Sequence, residues 1–186
     1  AVTLQSTSTM IPTPDGQFQE ASFLFIGDLD IAIAPQSSAT VGPVFFPVPS
    51  AYAASSFFAI TGHEHQWGKN VRVWTATSDA DPGTPVYDVP GWTWSEPKTV
   101  AFDAPFHVSS GGGFKFQCDW FNGSSNMVKF GESANDEMCF FWAYYYPSQG
   151  AKVCFLTGGS NQCCPGDAPI CAAIAGAGSK DAGAGD

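Results

Sequence analysis

Strand-length runs of β-branched and aromatic residues, each ended by Gly, Pro or Asn, fill the middle of this chain and limit its possible folds more than any other feature. Examples are SSFFAITGHEHQWG, NVRVWTATS, GFKFQCDWFN and EMCFFWAYYYP. Several runs alternate between apolar and polar residues, and none keeps a 3.6-residue period beyond two turns. We therefore expect an all-β fold, an antiparallel sandwich with little or no helix.

Changes in composition divide the chain into four expected regions. The first residues are polar and rich in Ser, Thr and Pro, whereas the sequence after Pro147 is first rich in cysteine and then consists of AGAGSKDAGAGD. We expect an N-terminal arm over residues 1–20, the β domain over 21–153, a disulfide-rich loop over 154–172 and a flexible Gly/Ala tail or linker over 173–186.

Charge and hydropathy argue against two classes of partner. The chain has 7 Lys and Arg against 17 Asp and Glu, and the resulting net charge of -10 opposes binding to nucleic acid or to anionic membrane surfaces. No stretch of the sequence approaches the roughly 18 apolar residues of a membrane span. We therefore expect neither a nucleic-acid partner nor a membrane span.

Cysteine usage indicates the compartment. The chain has 6 cysteines, an even number, and Cys163 and Cys164 are adjacent beside a Pro-Gly turn. This arrangement is typical of a loop held by disulfides in an oxidising environment. We expect all the cysteines to be oxidised and the protein to be secreted, periplasmic or exposed at the cell surface.

Two of the 3 histidines lie one residue apart, in GHEHQWG. Side chains at positions i and i+2 of a strand project from the same face, so His63 and His65 should stand close enough for both imidazoles to bind one metal ion. A pair of half-exposed surface histidines without a metal is the alternative. The third ligand stays open on these residues alone, between His107, a cysteine, a carboxylate and Met138.

Met138 has the chemistry that best complements the histidine pair. It lies in NDEMCFFWAYYYP, where alternation places it on one face with Phe140 and Trp142 and places Cys139 on the other. Filling the core is the ordinary role of a methionine. Two imidazoles and a thioether make a poor zinc site, but they suit copper in both oxidation states and leave a coordination position open for O2.

The ordered combination of HEHQWG, FQCDWFN and FGESANDEMCFFWAYYYP resembles the type II copper, ascorbate-dependent monooxygenases, which hydroxylate peptidylglycine and dopamine. The resemblance covers the expected β domain and is to their second domain, which holds the copper that activates O2. It implies a jelly-roll sandwich of about nine strands, one copper per chain bound by His63, His65 and Met138, and a Cys118–Cys139 disulfide. It also implies hydroxylation of a C–H bond, with ascorbate or another reductant as electron source.

The sequence departs from that family where the substrate is recognised. Thr61 stands where the peptide hydroxylase has an arginine for the substrate carboxylate. Phe140 and Trp142 replace an asparagine and an aromatic residue that bears a hydroxyl. These three residues are our candidates for the substrate pocket, and they favour a small-molecule or peptide substrate that is apolar or aromatic at this site.

A second copper site is the other departure. In the family, a first domain carries a copper bound by three histidines that relays an electron. The 3 histidines of this sequence cannot supply both sites. A second copper domain, or a small reductant that reaches the open copper, is therefore an expected partner.

The remaining cysteines allow two pairings. The family cysteine upstream of the histidine pair is absent, and Cys154 matches its usual partner, so Cys154 must bond elsewhere. Adjacent cysteines rarely bond each other. Cys154 is therefore expected to bond Cys163 or Cys164, with Cys171 bonding the other one.

Three functions follow from this sequence. The leading one is the O2-activating, copper-binding domain of a monooxygenase-like protein. The second is a secreted copper-binding protein for storage, sensing or delivery without turnover, and the third is a metal-free recognition module. Reductant-dependent O2 consumption with added copper separates the first two, and a metal titration separates both from the third.

Overall fold

The computed structural model describes residues 18–165, and it confirms the all-β prediction. Within that range, no helix is long and apolar enough to cross a membrane. One 3-10 turn occurs at Ser50–Tyr52. The strands are β1 (Ser22–Asp28), β2 (Ala32–Ile33), β3 (Ser37–Pro47), β4 (Ser56–His63), β5 (Gly68–Ala76), β6 (Thr84–Asp88), β7 (Thr99–Phe106), β8 (Gly113–Asn122), β9 (Val128–Lys129), β10 (Cys139–Tyr146), β11 (Lys152–Thr157) and β12 (Ser160–Pro165).

Two main sheets pack as a sandwich. The larger has six strands in the order β12-β11-β1-β10-β4-β7, and the smaller has four in the order β3-β8-β5-β6. A separate two-stranded sheet joins β2 to β9. Pairing is antiparallel except between β1 and β11. The described residues thus place ten strands in the two main sheets, close to the nine or so expected for the jelly roll.

Alternation along the strands builds the core between the sheets. In β10, Cys139, Phe141 and Tyr145 are fully buried in the main core. On the opposite side of the same strand, Phe140 packs in a smaller cluster together with Met138. The chain therefore separates Met138 from Cys139 as the alternation predicts, because neighbouring side chains of a strand point to opposite faces.

A buried disulfide joins the two sheets. Cys118 in β8 bonds Cys139 in β10, and both residues are completely buried. This is the pairing that the family resemblance implies. Because Cys139 opens β10, the disulfide fixes the beginning of that strand, and the residues just before it, to the four-stranded sheet.

A hairpin replaces the beginning of the expected disulfide-rich loop. Cys154 and Cys163 are direct partners in the register of β11 and β12, and a disulfide joins them. Residues 154–165 therefore form paired strands rather than the predicted loop. Cys164 is also disulfide-bonded. Cys171, the predicted arm up to residue 17 and the predicted tail from residue 173 lie outside the described residues.

The register of the larger sheet brings the two most informative sequence motifs together. β4 pairs with β10, so that His63 lies opposite Phe140 and Thr61 lies opposite Trp142. β1 pairs with the other edge of β10 and places Phe25 opposite Trp142. The end of β4 therefore meets the beginning of β10, and the segment that follows His63 runs beside the segment that precedes Cys139.

Candidate metal centre

His63 and His65 lie together where β4 ends and the turn to β5 begins. Their ring centroids are 5.2 Å apart, with an angle of 84° between the ring planes. Both side chains are half-buried, whereas Glu64 between them is only 1% exposed. The alternation of the strand thus continues past its last paired residue and leaves the two imidazoles on the same side, as the sequence predicts.

The imidazole of His63 is packed among aromatic rings. Its ring centroid lies 5.0 Å from that of Trp142 and 6.0 Å from that of Phe25. Burial, with a smaller contribution from the charge of His65, lowers the pKa of His63 to about 4. His63 is therefore neutral at physiological pH, which is the state in which an imidazole can donate a lone pair to a metal.

His65 is oriented by a backbone carbonyl group. Its Nδ1 lies 3.1 Å from the carbonyl oxygen of Asp136. A carbonyl oxygen can only accept, so Nδ1 carries a proton, and in the neutral ring the lone pair is on Nε2. Metal-binding histidines commonly have this arrangement, in which one ring nitrogen donates to a carbonyl or carboxylate and the other binds the metal.

The backbones of Met138 and His65 lie side by side because both are hydrogen-bonded to the carboxylate of Glu137. The backbone N–H groups of both residues donate to Oε2 of Glu137, at 2.8 Å from His65 and 3.2 Å from Met138. Because both amide groups reach one oxygen atom, the two backbone segments run side by side. The Met138 side chain is half-buried and packs with the small cluster that contains Phe140.

His107 lies far from His63 and His65. Its Nδ1 is 2.9 Å from the carbonyl oxygen of Ser55, the residue just before β4. His63 is at the opposite end of that strand, and its eight residues at roughly 3.3 Å each span about 25 Å. The structure therefore excludes His107 as the third ligand of the histidine pair.

Two buried glutamates adjoin the centre, and the sequence reasoning did not identify either. Burial raises the pKa of Glu137. Hydrogen bonds from the backbone N–H groups of His65, Trp67 and Met138 partly offset this rise. Burial and the nearby charges of Glu137 and Asp119 raise the pKa of Glu64 to about 10. The only sequence signal was their position, one between the histidines and the other just before the methionine.

Glu64 occupies a tight, poorly solvated space on the core side of the turn. Neither of its carboxyl oxygens has a hydrogen-bond partner. Backbone groups of Lys69 and Asp119 approach closely enough to lower its pKa, but without hydrogen-bonding geometry. Glycine at position 68 leaves the space for this side chain, because a Cβ there would lie 2.6 Å from the Cβ of Glu64.

The candidate substrate residues differ in how accessible they are. Trp142 is half-buried, stacks on Phe25 at 4.5 Å and stands next to His63. Phe140 is only 3% exposed, and its ring lies against Gly27. Thr61 is 6% exposed, and its hydroxyl is hydrogen-bonded to that of Thr99 at 2.7 Å. Trp142 is thus the one of the three that lies next to the histidine pair and reaches solvent.

The residue types that meet at this place, two imidazoles and a thioether, would suit copper better than zinc. Residues 18–165 contain no cluster of three or more His, Cys, Asp or Glu that could hold a metal. The cysteines among them are all oxidised. Among the described residues, a third His, Cys, Asp or Glu therefore does not complete a site with the histidine pair. The thioether of Met138 is a soft ligand that suits Cu(I), whereas structural zinc prefers cysteine and histidine.

Comparison with known proteins agrees with these observations. The family model described as copper type II ascorbate-dependent monooxygenase, C-terminal domain, matches residues 46–164. The matched range contains His63, His65, Met138 and the two disulfides described above. Among individually curated proteins, none matches the chain significantly.

Proposed function

Because the chain belongs to the copper type II ascorbate-dependent monooxygenases, through their C-terminal domain, we propose that His63, His65 and Met138 bind one copper ion and that a C–H bond is hydroxylated beside it. One observation carries this proposal. The two imidazoles lie 5.2 Å apart, and the backbone of Met138 shares a carboxylate oxygen with that of His65. When bound, copper would supply the one-electron chemistry that O2 requires and that side chains lack.

The protein's own groups would prepare the ligands for either oxidation state. Desolvation favours the neutral form of His63, and the Asp136 carbonyl favours the tautomer of His65 in which Nε2 faces away from that hydrogen bond. The thioether of Met138 favours Cu(I), and the imidazoles serve both Cu(I) and Cu(II). A set of only these three protein ligands would leave room for O2 to reach the ion.

The reaction needs electrons that these residues do not store. Inserting one oxygen atom of O2 into a C–H bond and reducing the other to water takes two electrons and two protons. A single copper ion held by these residues would supply one of the two electrons. We therefore propose that a partner, either a second copper domain or a small reductant such as ascorbate, supplies electrons to this site.

An apolar or aromatic group on the substrate fits the surroundings of His63. The half-buried rings of Phe25 and Trp142 offer a surface for stacking. An arginine is the side chain best suited to bind a substrate carboxylate, but Arg72, the only arginine of the sequence, forms an ion pair with Asp119. We therefore propose a small molecule or peptide whose reacting group is uncharged.

The disulfides indicate an oxidising, extracellular compartment. A secreted, periplasmic or cell-surface location follows as a proposal. Ascorbate and O2 are both small molecules that reach such a site by diffusion.

Single-turnover measurements test the function. The Cu(I)-loaded protein is mixed with O2 and small alkylbenzenes, and hydrogen peroxide and hydroxylated product are followed together. We expect slow O2 consumption with peroxide as the main product, and more hydroxylation when ascorbate is in excess. An absence of O2 consumption with copper bound would instead support storage or delivery. Rapid, fully coupled hydroxylation without added reductant would show an electron source within the chain.

Replacing Met138 with leucine tests the thioether. Leucine keeps the apolar volume and removes the sulfur, so packing in the cluster with Phe140 should survive. We expect the affinity for Cu(I) to fall about 10-fold or more, and the affinity for Cu(II) to fall less, because the soft ligand contributes mainly to Cu(I). Competition titrations with chelators specific for each oxidation state measure the two losses. Equal losses would assign Met138 to packing alone.

A further inference from the structure

The fully buried carboxylate of Glu137 accepts four hydrogen bonds. Oε2 accepts from the backbone N–H of His65 at 2.8 Å, from Nε1 of Trp120 at 3.0 Å and from the backbone N–H of Met138 at 3.2 Å. Oε1 accepts from the backbone N–H of Trp67 at 2.7 Å. Glu137 itself is 0% exposed. The donors belong to three segments that are distant in the sequence, so one side chain joins all three.

Two of these donors belong to residues proposed as copper ligands. His65 lies in the turn between β4 and β5, and Met138 lies just before β10. Neither residue is fixed by a strand ladder of its own. Their relative position therefore depends on contacts between the two connections, and the Glu137 carboxylate is the buried contact that touches both backbones.

The carboxylate is in turn anchored to rigid parts of the fold. Trp120, in β8, is only 2% exposed. The backbone N–H of Glu137 donates to the carbonyl of Lys129, and the N–H of Gly131 donates to the carbonyl of Glu137. The Cys118–Cys139 disulfide fixes the next strand to β8 as well. The position of the Glu137 side chain is thus set before any metal binds.

If Glu137 only capped its own turn, it would not need donors from several segments. A side chain that only stabilises its own connection accepts from neighbouring residues, as Asp81 does from Thr77 and Gly83. Three of the four donors to Glu137 come from other segments, and a neutral amide could not satisfy all four, since both oxygens accept N–H groups. The arrangement requires a carboxylate of this length.

We propose that Glu137 is a positioning residue for copper, which holds His65 and Met138 at the separation that copper binding requires. The inference rests on the proposed function of this site. Groups that orient metal ligands from behind commonly contribute 10- to 100-fold to affinity, and sites held by such support are better preorganised.

Glu137→Gln is the first test, because it keeps the size and removes one acceptor. Whichever way the amide is turned, its NH2 group faces at least one N–H donor. We expect the Kd for Cu(II) to rise about 10- to 100-fold and the copper hyperfine splitting in the electron paramagnetic resonance spectrum to change. Glu132→Gln is the matched control, since Glu132 is exposed and lies in the same connection. It should change neither value.

Glu137→Asp separates geometry from charge. Aspartate keeps the negative charge but is one methylene shorter, so it cannot reach all four donors. We expect it to weaken copper binding as glutamine does. Wild-type affinity and an unchanged spectrum in Glu137→Asp, or in Glu137→Gln, would overturn the inference while leaving copper binding intact.

Amide hydrogen exchange on the unmodified, metal-free protein tests the same contact without a variant. The amides of His65, Trp67 and Met138 should exchange as slowly as those of neighbouring strands, although these residues lie outside the ladders. Fast exchange at all three would overturn the inference. A wild-type protein with slow amides that binds no copper would instead refute the proposed function.

Discussion

Replacing His63 with alanine is expected to abolish stoichiometric copper binding. The variant removes one of two imidazoles whose rings lie 5.2 Å apart, and no other histidine can take its place. Because changes behind metal ligands already cost about 10- to 100-fold in affinity, loss of a ligand should cost more than about 100-fold. Equilibrium dialysis against buffered copper, followed by metal analysis, measures the loss.

His107→Ala is the matched control for that experiment. It removes an imidazole of the same chain, at the opposite end of β4, where Nδ1 is held by Ser55. We expect its copper stoichiometry to equal that of the wild type. Unchanged affinity in His63→Ala would refute the site, and loss of copper in His107→Ala alone would place the metal elsewhere in the fold.

The sequence predicts only in part how the histidine segment and the methionine segment come together. Alternation predicts that His63 and His65 share a face and that Met138 opposes Cys139, because strand geometry is local. It does not determine which strands are neighbours. The ladder that places His63 opposite Phe140 joins segments far apart in the chain, and the family resemblance, not the residue pattern, indicated that they meet.

Glu137 shows why the rest of the site was not predicted. A glutamate before a methionine carries no signal of burial, since most glutamates are exposed. Its role arises from donors at His65, Trp67 and Trp120, which only the three-dimensional fold assembles. The hairpin of β11 and β12 was missed for a related reason. Its cysteines and glycines indicated a loop, but the strands are held by pairing across Cys154 and Cys163.

The two buried glutamates differ in how well their carboxyl groups are hydrogen-bonded. Glu137 accepts four hydrogen bonds, which oppose the rise that burial causes in its pKa. Neither carboxyl oxygen of Glu64 accepts a well-formed hydrogen bond. Burial and the charge of Glu137 raise the pKa of Glu64 to about 10. At neutral pH the folded protein therefore keeps a proton on Glu64 that the unfolded chain releases, and this difference reduces stability.

Glu64→Gln is accordingly expected to stabilise the metal-free protein at neutral and alkaline pH. The pKa of Glu64 is higher in the folded state than in the unfolded chain, so wild-type stability falls as pH rises from about 4.5 towards 10, by at most about 1.4 kcal/mol per pH unit. Glutamine has a similar shape and does not titrate. We expect the variant to match the wild type near pH 4 and to exceed it by about 2 kcal/mol at pH 7 and by more at pH 9.

Urea unfolding of both proteins between pH 4 and 9 measures this difference, because titrating groups that do not interact with Glu64 cancel in the comparison. Glu132→Gln, at an exposed position, should follow the wild-type curve throughout. If the curves of Glu64→Gln and the wild type stay parallel, Glu64 is ionised in the folded protein as it is in the unfolded chain, and folding does not raise its pKa. If they diverge with the expected sign, a neutral carboxylic acid lies on the core side of the turn that carries both histidines, and no charge of its own opposes a cation bound there.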